Sequence, residues 1–375
     1  MLYRKLGNTG LDVSALGFGA MRLPHAGGAV DRGESLRLMH AAFELGVNYI
    51  DTAHTYLDGQ SEALVGEAIR DRRDRVLLAT KNMYRAENGR EWTGRLEEQL
   101  ARLKTDCIDF YHIHCLYHEQ LVGPMSAPGG PLDEADRALR AGKIRYLSVS
   151  THDAPDKAVQ ILESGLFTLF TVQYNLIDRS YLPAIRKASE MGIAVVVMGP
   201  AGGGRLVRHT DATRALVAGA PYPAAELALR FVLDSKDVNT AISGMSRIEE
   251  LIRNVKVARL EETLTDDERR SIEAGLARLE GEAEHFCTRC EYCKPCPNGL
   301  DISVNLGLHG LWNLWGMEKE ALEIYRFMGE NPEFGKHAAE CIQCGECEPK
   351  CPQNIPIVDM LRVVQGLMEG KAGGK

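Results

Sequence analysis

The sequence predicts an α/β protein in which a parallel barrel of eight βα units is followed by a smaller, mostly helical domain. Over the first 260 residues, short apolar runs alternate with amphipathic helical stretches, a pattern typical of parallel strands buried on both faces. The length of 375 residues suits two domains. Eight of the ten cysteines fall between Cys287 and Cys351, so the composition changes near residue 281.

The apolar runs and the stretches between them give the order of elements. The predicted strands are Ala15–Phe18, Val47–Asp51, Val76–Thr80, Ile108–His114, Tyr146–Ser150, Leu169–Gln173, Ala194–Met198 and Thr240–Ser243. The predicted helices are Ser35–Leu45, Glu62–Arg70, Glu91–Leu103, Leu132–Ala141, Ala154–Glu163, Leu182–Met191, Ala224–Leu233 and Thr265–Leu279. Eight βα units in about 250 residues indicate a (β/α)8 TIM barrel. A doubly wound sheet is the alternative, but no G-x-G-x-x-G motif follows a first strand.

The remaining segments complete the organisation. Asn8-Thr9-Gly10 predicts a hairpin before the barrel. Thr265 and Glu268 predict a capping box for the last helix of the barrel region. The Gly- and Pro-rich segment His118–Pro131 predicts a long loop, and Val304–Phe327 predicts a helical linker. The predicted domains are therefore residues 1–280 and 281–375, with a frayed tail after Met368.

Charge and composition argue against several classes of protein. Lys plus Arg is 44 and Asp plus Glu is 52, and the net charge of −8 disfavours a nucleic-acid scaffold or a membrane-surface binder. The N-terminus lacks the apolar run of a signal peptide. The longest apolar stretch, near Ile193 to Met198, is far shorter than the roughly 18 residues of a membrane span. We therefore predict a cytoplasmic protein whose cysteines bind metal rather than form disulfides.

Four polar residues are predicted where a barrel places its chemistry, at the C-terminal ends of strands. Asp51, Lys81 and His114 end the second, third and fourth strands, and Tyr56 follows Asp51 by five residues. An ammonium at Lys81, paired with Asp51, would stabilise the phenolate of Tyr56. Tyr56 could then lose its proton more easily and act as a general acid. A neutral His114 would orient a carbonyl oxygen. Each residue alone has an ordinary structural explanation, but together they suit protonation of an alkoxide as a hydride arrives.

Several stretches of the chain resemble the aldo-keto reductase family. They are LGFGAMRLP, GVNYIDTAHTY, GQSEALVGEAI, VLLATK, RLEEQLARLKTDCIDFYHIH, GKIRYLSVS, VQYN, GIAVVV and SGMSRIEELIRN, and they span nearly all of residues 1–260. The resemblance implies reduction of a small carbonyl substrate, or the reverse oxidation, with a nicotinamide cofactor and without metal or flavin. It implies a catalytic tetrad of Asp51, Tyr56, Lys81 and His114. His112, two residues before His114, would face the same side but lie deeper as a hydrogen-bonded interior residue.

The same resemblance implies a set of cofactor contacts. The nicotinamide positions fall on Ser150 and Gln173, with Thr151 in place of the usual Asn and Met198 in place of a frequent aromatic residue. Separately, the glycine run Gly202-Gly203-Gly204 would let backbone N–H groups approach the pyrophosphate, and a flexible loop is the alternative.

The adenosine end of the cofactor falls on the start of the helix after the last strand. The residues implied there are Ser246, Arg247 and Asn254. Arg247 would pair with a 2′-phosphate, which favours NADP(H). The usual basic residues of this stretch are Gly244 and Glu250 here, so NAD(H) is the alternative.

Two cysteine motifs predict metal chemistry in the second domain. The first holds Cys287, Cys290, Cys293 and Cys296, and the second holds Cys341, Cys344, Cys347 and Cys351. The second has the spacing of a bacterial ferredoxin [4Fe-4S] site, whose fourth Cys serves the other cluster. This pattern predicts two clusters, one on Cys287, Cys290, Cys293 and Cys351 and one on Cys341, Cys344, Cys347 and Cys296. Ligation within each motif stays open, because the first has an unusual last spacing. Two zinc sites are the alternative, although zinc sites usually join separated C-x2-C pairs.

The two parts together predict an NAD(P)H-dependent oxidoreductase with an attached ferredoxin-like module that serves a redox partner protein. An electron-transfer protein whose barrel only binds nucleotide or docks is the alternative, and purely structural clusters are a third reading. A nicotinamide transfers two electrons as a hydride, whereas a four-iron cluster takes one, and no flavin motif bridges them. The sequence therefore predicts no direct electron flow from the nicotinamide to the clusters.

Overall fold

The computed structural model describes residues 1–84, 88–202, 206, 210–216, 222–282, 287, 293–331, 335–351 and 354–370. The chain forms two compact units. The first consists of Met1–Gly204 and Glu226–Thr263, and the second of Arg205–Ala225 and Leu264–Lys375. The second unit thus takes in segments that the sequence assigns to the barrel domain, and the division at residue 281 stays a prediction.

The strands lie mainly in the first unit. They are β1 (Tyr3–Lys5), β2 (Asp12–Ser14), β3 (Leu16–Gly19), β4 (His25–Ala26), β5 (Ala29–Val30), β6 (Tyr49–Asp51), β7 (Leu77–Met83), β8 (Ile108–His114), β9 (Ile144–Ser150), β10 (Leu169–Gln173), β11 (Ala194–Met198) and β12 (Thr240–Gly244). Strands β3 and β6 to β12 form a closed parallel barrel, in which β12 pairs with β3. The predicted (β/α)8 barrel is confirmed, and β8, β10 and β11 have the predicted bounds.

The helices follow the strands in the expected alternation. They are α1 (Arg32–Glu44), α2 (Gln60–Ala68), α3 (Gly89–Leu103), α4 (His118–Val122), α5 (Pro131–Arg140), α6 (Pro155–Glu163), α7 (Leu182–Glu190), α8 (Asp211–Leu216), α9 (Ala224–Asp234), α10 (Ile248–Val257), α11 (Asp266–Glu282), α12 (Ile302–Asn313), α13 (Glu318–Glu330) and α14 (Ile357–Met368). None of the described helices is long and apolar enough to cross a membrane.

Local sequence signals account for several helix starts. The side chains of Asp31 and Asn88 accept backbone N–H groups of the first turns of α1 and α3, which satisfies donors that a helix leaves unpaired. The capping box before α11 is confirmed, because Thr265 Oγ1 accepts the N–H of Glu268 and the Glu268 carboxylate accepts the N–H of Thr265. The expectation of a continuous loop over His118–Pro131 is wrong, because α4 lies inside it.

The predicted N-terminal hairpin closes one end of the barrel. Strands β1 and β2 pair antiparallel, and the wholly buried side chains of Leu6 and Val13 pack with interior residues such as Phe110. Gly7 makes this closure possible, because its φ is 51° and a Cβ there would lie 2.6 Å from the backbone of Ala194. The hairpin packs against residues at the starts of strands, so the C-terminal strand ends are left for the site.

The second unit is helical, as predicted. Its α12 and α14 pack together, and the buried residues include Leu308, Leu311, Leu361 and Val364. The predicted linker is two helices rather than one, because the chain turns between α12 and α13, where Gly316 has a φ of 60°.

Candidate active site

The candidate tetrad gathers at the C-terminal ends of β6, β7 and β8. Asp51 is the last residue of β6, and His114 is the last residue of β8. Lys81 lies two residues before the end of β7, so the third strand runs further than predicted. Tyr56 opens a short 3-10 turn in the loop after β6.

The ammonium of Lys81 joins the members of this group. Its Nζ donates to Asp51 Oδ1 at 2.5 Å, to the carbonyl oxygen of Thr52 at 2.8 Å and to Tyr56 Oη at 3.3 Å. An ammonium has three protons to donate, so every one is directed to a named acceptor. The predicted pairing of Lys81 with Asp51 and Tyr56 is therefore present in the structure, and the Thr52 carbonyl is a contact that the sequence did not indicate.

Burial makes the Lys81–Asp51 ion pair electrostatically strong. Asp51 is 4% exposed and Lys81 is 1% exposed, so water screens the pair little. Burial lowers the pKa of Lys81, but the Asp51 carboxylate and the Tyr56 hydroxyl outweigh it, and the net pKa is raised. Lys81 therefore stays charged at neutral pH. Within the described residues, Asp51 Oδ2 is buried without a hydrogen-bond partner.

The phenol of Tyr56 keeps its proton in this environment. Burial raises its pKa, while the nearby Lys81 ammonium lowers it and Asp51 raises it, with a net rise above the usual value. The expected effect of Lys81 is present, but burial is larger. Tyr56 is thus a protonated donor whose anion would be stabilised by an adjacent ammonium.

The two histidines of β8 have different surroundings. Burial, together with the charge of Lys81 and with His152, lowers the pKa of His114 to about 3, so its ring is neutral at physiological pH. The ring of His114 meets the Tyr56 ring edge-on, with centroids 6.3 Å apart. His112 is wholly buried, and its Nε2 lies 2.9 Å from Thr171 Oγ1. The prediction of a hydrogen-bonded interior His112 is confirmed.

A buried polar network behind Lys81 was missed by the sequence analysis. The carboxylate of Glu62, which is 0% exposed, accepts hydrogen bonds from Thr80 Oγ1 at 2.6 Å, Gln99 Nε2 at 2.6 Å and Arg102 Nε at 2.8 Å. The same Gln99 amide donates to the Lys81 carbonyl oxygen at 3.1 Å. Glu62 belongs to the GQSEALVGEAI stretch, where an acid among apolar helical positions was the available signal.

The same network reaches the loop that carries Tyr56. Arg102 Nη2 donates to His54 Nδ1 at 2.6 Å, and the His54 backbone N–H donates to the Lys81 carbonyl at 3.2 Å. The loop then passes through two positive-φ residues, Leu57 and Asp58, a strained conformation that needs support from its surroundings. The network therefore anchors both Lys81 and the start of the Tyr56 loop.

The expected nicotinamide contacts lie at the ends of β9 and β10. Ser150 is 1% exposed, and its Oγ accepts the N–H of Cys115 at 3.2 Å. Thr151 donates from Oγ1 to the Leu116 carbonyl at 2.6 Å, so its hydroxyl proton is already used within the chain. The Gln173 amide donates to Asp178 at 3.1 Å, which leaves its carbonyl oxygen as an acceptor.

The expected pyrophosphate and adenosine contacts are described in part. Gly202 has a φ of 61° and its N–H donates to Gly199 O at 2.8 Å, whereas Gly203 and Gly204 lie outside the described residues. At the adenosine end, Asn254 Nδ2 donates to Ser243 Oγ at 3.1 Å. Ser246 and Arg247 both bind the carboxylate of Glu250.

The cysteine motifs of the second unit meet at one cavity. Its sulfur-bearing lining comes from both motifs and consists of Cys293, Cys296, Cys341, Cys344 and Cys347. Aliphatic side chains such as Leu300, Ile302 and Leu361 complete the wall. The backbone N–H of Gln343 donates to Cys341 Sγ at 3.4 Å, the type of contact that surrounds cluster sulfurs.

The structure brings only part of the predicted cysteine sets together. All four members of one predicted set line the cavity, namely Cys296, Cys341, Cys344 and Cys347. Of the other set, Cys293 lines it, Cys287 and Cys351 do not, and Cys290 lies outside the described residues. In the described part of the chain, no group of three or more His, Cys, Asp or Glu side chains is close enough together to hold a single metal ion.

Comparison with known proteins agrees with both parts. The family model described as "Aldo/keto reductase family" matches residues 15–276, and the one described as "4Fe-4S dicluster domain" matches residues 286–355. The uncharacterized oxidoreductase YqkF of Bacillus subtilis (strain 168) is 30% identical over 318 residues, which are 73% of this chain and 96% of that protein. L-galactose dehydrogenase of Arabidopsis thaliana is 26% identical over 298 residues, which are 71% of this chain and 90% of that protein.

A solved structure shows the same barrel. Aldo-keto reductase AKR11C1 from Bacillus halodurans (holo form) is 29% identical, with a TM-score of 0.64 over 73% of this chain and 96% of that protein. The 4Fe-4S family model matches residues 286–355, which follow the residues matched by the aldo/keto reductase model. The resemblance noted in the sequence is confirmed, and the chain belongs to the aldo/keto reductase family.

Proposed function

We propose that the barrel reduces an aldehyde or a ketone to an alcohol with NAD(P)H, and that Asp51, Tyr56, Lys81 and His114 are its catalytic residues. The observation that carries this proposal is the Lys81 ammonium, which donates to both Asp51 and Tyr56 at the C-terminal end of the barrel. Family membership supports it, since aldo-keto reductases act on small carbonyl substrates. Ser150 and Gln173 would hold the nicotinamide carboxamide, since both keep a polar atom for it.

The proton of the product alcohol would come from Tyr56. A bound nicotinamide cofactor would supply a hydride, which is one proton with two electrons, to the carbonyl carbon. Tyr56 donates its phenolic proton to the carbonyl oxygen, so one O–H bond breaks and another forms. Lys81 stabilises the resulting phenolate, and Asp51 fixes the position of Lys81. A proton from solvent then restores Tyr56.

His114 would orient the substrate rather than donate a proton as an imidazolium. Its pKa of about 3 keeps the ring neutral, so an N–H group of the neutral ring is available to the carbonyl oxygen. A neutral donor polarises the oxygen without competing with Tyr56 for the role of acid.

Replacement of Tyr56 by Phe tests this assignment. It removes the donated proton but keeps the ring, so kcat for carbonyl reduction should fall about 10²- to 10⁴-fold, with nucleotide affinity unchanged. The matched control is Tyr146→Phe, because the hydroxyl of Tyr146 donates to the Thr9 carbonyl in the N-terminal hairpin that closes the other end of the barrel. Equal turnover in Tyr56→Phe and wild type would refute the assignment.

For the second domain we propose two [4Fe-4S] clusters that exchange electrons with a redox partner protein in the cytoplasm. Cys296 lines one cavity together with Cys341, Cys344 and Cys347, which supports the crossed ligand set, and Cys293 of the other set lines the same cavity. The second cluster would use Cys287, Cys290, Cys293 and Cys351. Thiolate ligands require a reducing compartment, which supports the cytoplasmic location.

The iron content of cysteine variants tests the crossed set. Anaerobically purified wild type should hold about eight irons per chain. Cys296→Ser should lose up to half of this iron and change the electron paramagnetic resonance of the reduced protein. The control Cys107→Ser, in the barrel, should lose none. Zinc in place of iron, or full iron in Cys296→Ser, would contradict the proposal.

A further inference from the structure

We propose that Glu250 makes the barrel select NADH over NADPH by occupying the donors that a 2′-phosphate would need. This inference rests on the proposed function, because it concerns the cofactor of the same site. It goes against the sequence expectation that Arg247 favours NADP(H).

The place of α10 in the fold suits a phosphate site. It follows β12, the last strand of the barrel. In (β/α)8 barrels, the loops after the last two strands and a nearby helix start often bind a phosphate group. The residues implied for the adenosine end, Ser246 and Arg247, stand at this position.

The carboxylate of Glu250 already binds these donors. Its Oε2 accepts the Ser246 backbone N–H at 2.9 Å and the Ser246 hydroxyl at 3.4 Å. Its Oε1 accepts from both Nε and Nη2 of Arg247 at 3.1 Å. A backbone N–H, a hydroxyl and a guanidinium are the donors that suit a phosphate, and here an anion of the chain itself uses all three.

Charge then separates the two cofactors. A phosphate monoester carries about −1.5 to −2 charges at pH 7, and it would have to sit beside the Glu250 carboxylate. Hydrogen bonds from Ser246 and Arg247 outweigh burial and lower the pKa of Glu250, so this carboxylate is ionised. A ribose 2′-hydroxyl is a neutral donor, and an acidic side chain accepts its hydrogen bond in NAD sites.

Other charged residues near the start of α10 bear on the expected effect of neutralising Glu250. Glu249 lies in the same first turn and is exposed. The Arg22 side chain lies beside Gly244, where a Cβ would meet its carbons at 3.5 to 3.9 Å. Neutralising Glu250 would therefore remove the carboxylate that binds Ser246 and Arg247, which favours an added phosphate at the start of α10.

Calorimetric titration with NADH and NADPH tests the inference without turnover. Wild-type protein should bind NADH at least about tenfold more tightly than NADPH. Glu250→Gln should strengthen NADPH binding about tenfold or more and leave NADH binding within about threefold. The matched control is Glu249→Gln, whose carboxylate is in the same turn, and it should leave the ratio of the two affinities nearly unchanged.

The outcomes separate this inference from the proposed function. Tighter binding of NADPH than NADH by wild type, or an unchanged ratio in Glu250→Gln, would overturn the role of Glu250 while nucleotide binding stands. Absence of binding by both nucleotides would overturn the proposed function itself, and the inference with it.

Discussion

The two candidate sites of this chain hold their reactive side chains in different ways. In the barrel, Lys81 is fixed by hydrogen bonds to Asp51, Thr52 and Tyr56, which lie on or directly after β6. In the second unit, cysteines from two motifs surround a cavity with an aliphatic wall. The barrel site is thus organised by the chain's own polar contacts, whereas the cysteines line one cavity and suit an iron cluster that would bind them together.

The two sites also differ in the secondary structure that carries their residues. The barrel residues stand on parallel strands in register, with Lys81 opposite His112 across β7 and β8. The second cysteine motif lies on turns, where Gln343 and Gly345 both have positive φ. Rigid elements position catalytic groups more accurately than loops do. We therefore expect single side-chain substitutions to disrupt the barrel site, and removal of metal to disrupt the fold around the cysteine site.

The largest expected effect follows from loss of the Lys81 charge. Lys81→Met should lower kcat about 10³-fold or more, because Tyr56 loses the ammonium that stabilises its anion. The variant should also lose about 3–5 kcal/mol of stability, because the buried Asp51 is left without its partner. Steady-state kinetics and urea unfolding measure the two effects.

The double variant Lys81→Met with Asp51→Asn separates these effects. Removing both charges should recover much of the stability, since no uncompensated carboxylate remains buried, but it should recover no activity. Recovery of turnover in the double variant would show that the Lys81 ammonium has no catalytic part.

The next effect concerns removal of iron. Chelation under oxidising conditions should make segment 335–351 sensitive to protease, because its turns would lose the cluster that ties Cys341, Cys344 and Cys347 together. NAD(P)H-dependent carbonyl reduction should persist, because the barrel site is built from protein contacts. Limited proteolysis followed by mass spectrometry locates the cuts. Equal resistance with and without iron would remove the contrast between the two sites.

A smaller effect is expected from the network behind Lys81. Glu62→Gln should destabilise the protein by about 1.5–3 kcal/mol, because the charged acceptor of the hydrogen bonds from Thr80, Gln99 and Arg102 is lost. The control is Glu67→Gln on the same helix, whose partner Arg32 is 65% exposed, and it should cost under about 1 kcal/mol. Similar losses of urea stability in the two variants would contradict a structural role for the network.

The sequence predicted the barrel, which is confirmed, and a candidate tetrad, because both follow from local patterns. Mostly apolar segments of five to seven residues mark β8, β10 and β11, and Asp51, Lys81 and His114 stand at or near strand ends. The Glu62 network could not be predicted in the same way, because it joins α2, β7 and α3 through side chains that meet only in the folded barrel. The contact of Glu250 with Arg247 spans one helical turn, so spacing permitted it, but only the folded geometry shows that Glu250 binds Ser246 and Arg247 together.

The smallest effect is an expected lack of pH dependence. The pKa of His114 is about 3, and the pKa values of Tyr56 and Lys81 are raised above their usual values near 10. His114 is therefore neutral, and Tyr56 and Lys81 are protonated, from about pH 5 to about pH 9. The value of kcat for reduction should stay within about twofold over this range, measured with saturating cofactor and carbonyl. A decline with an apparent pKa near 6.5, abolished in His114→Gln, would show that His114 titrates as an exposed histidine and that burial does not hold it neutral.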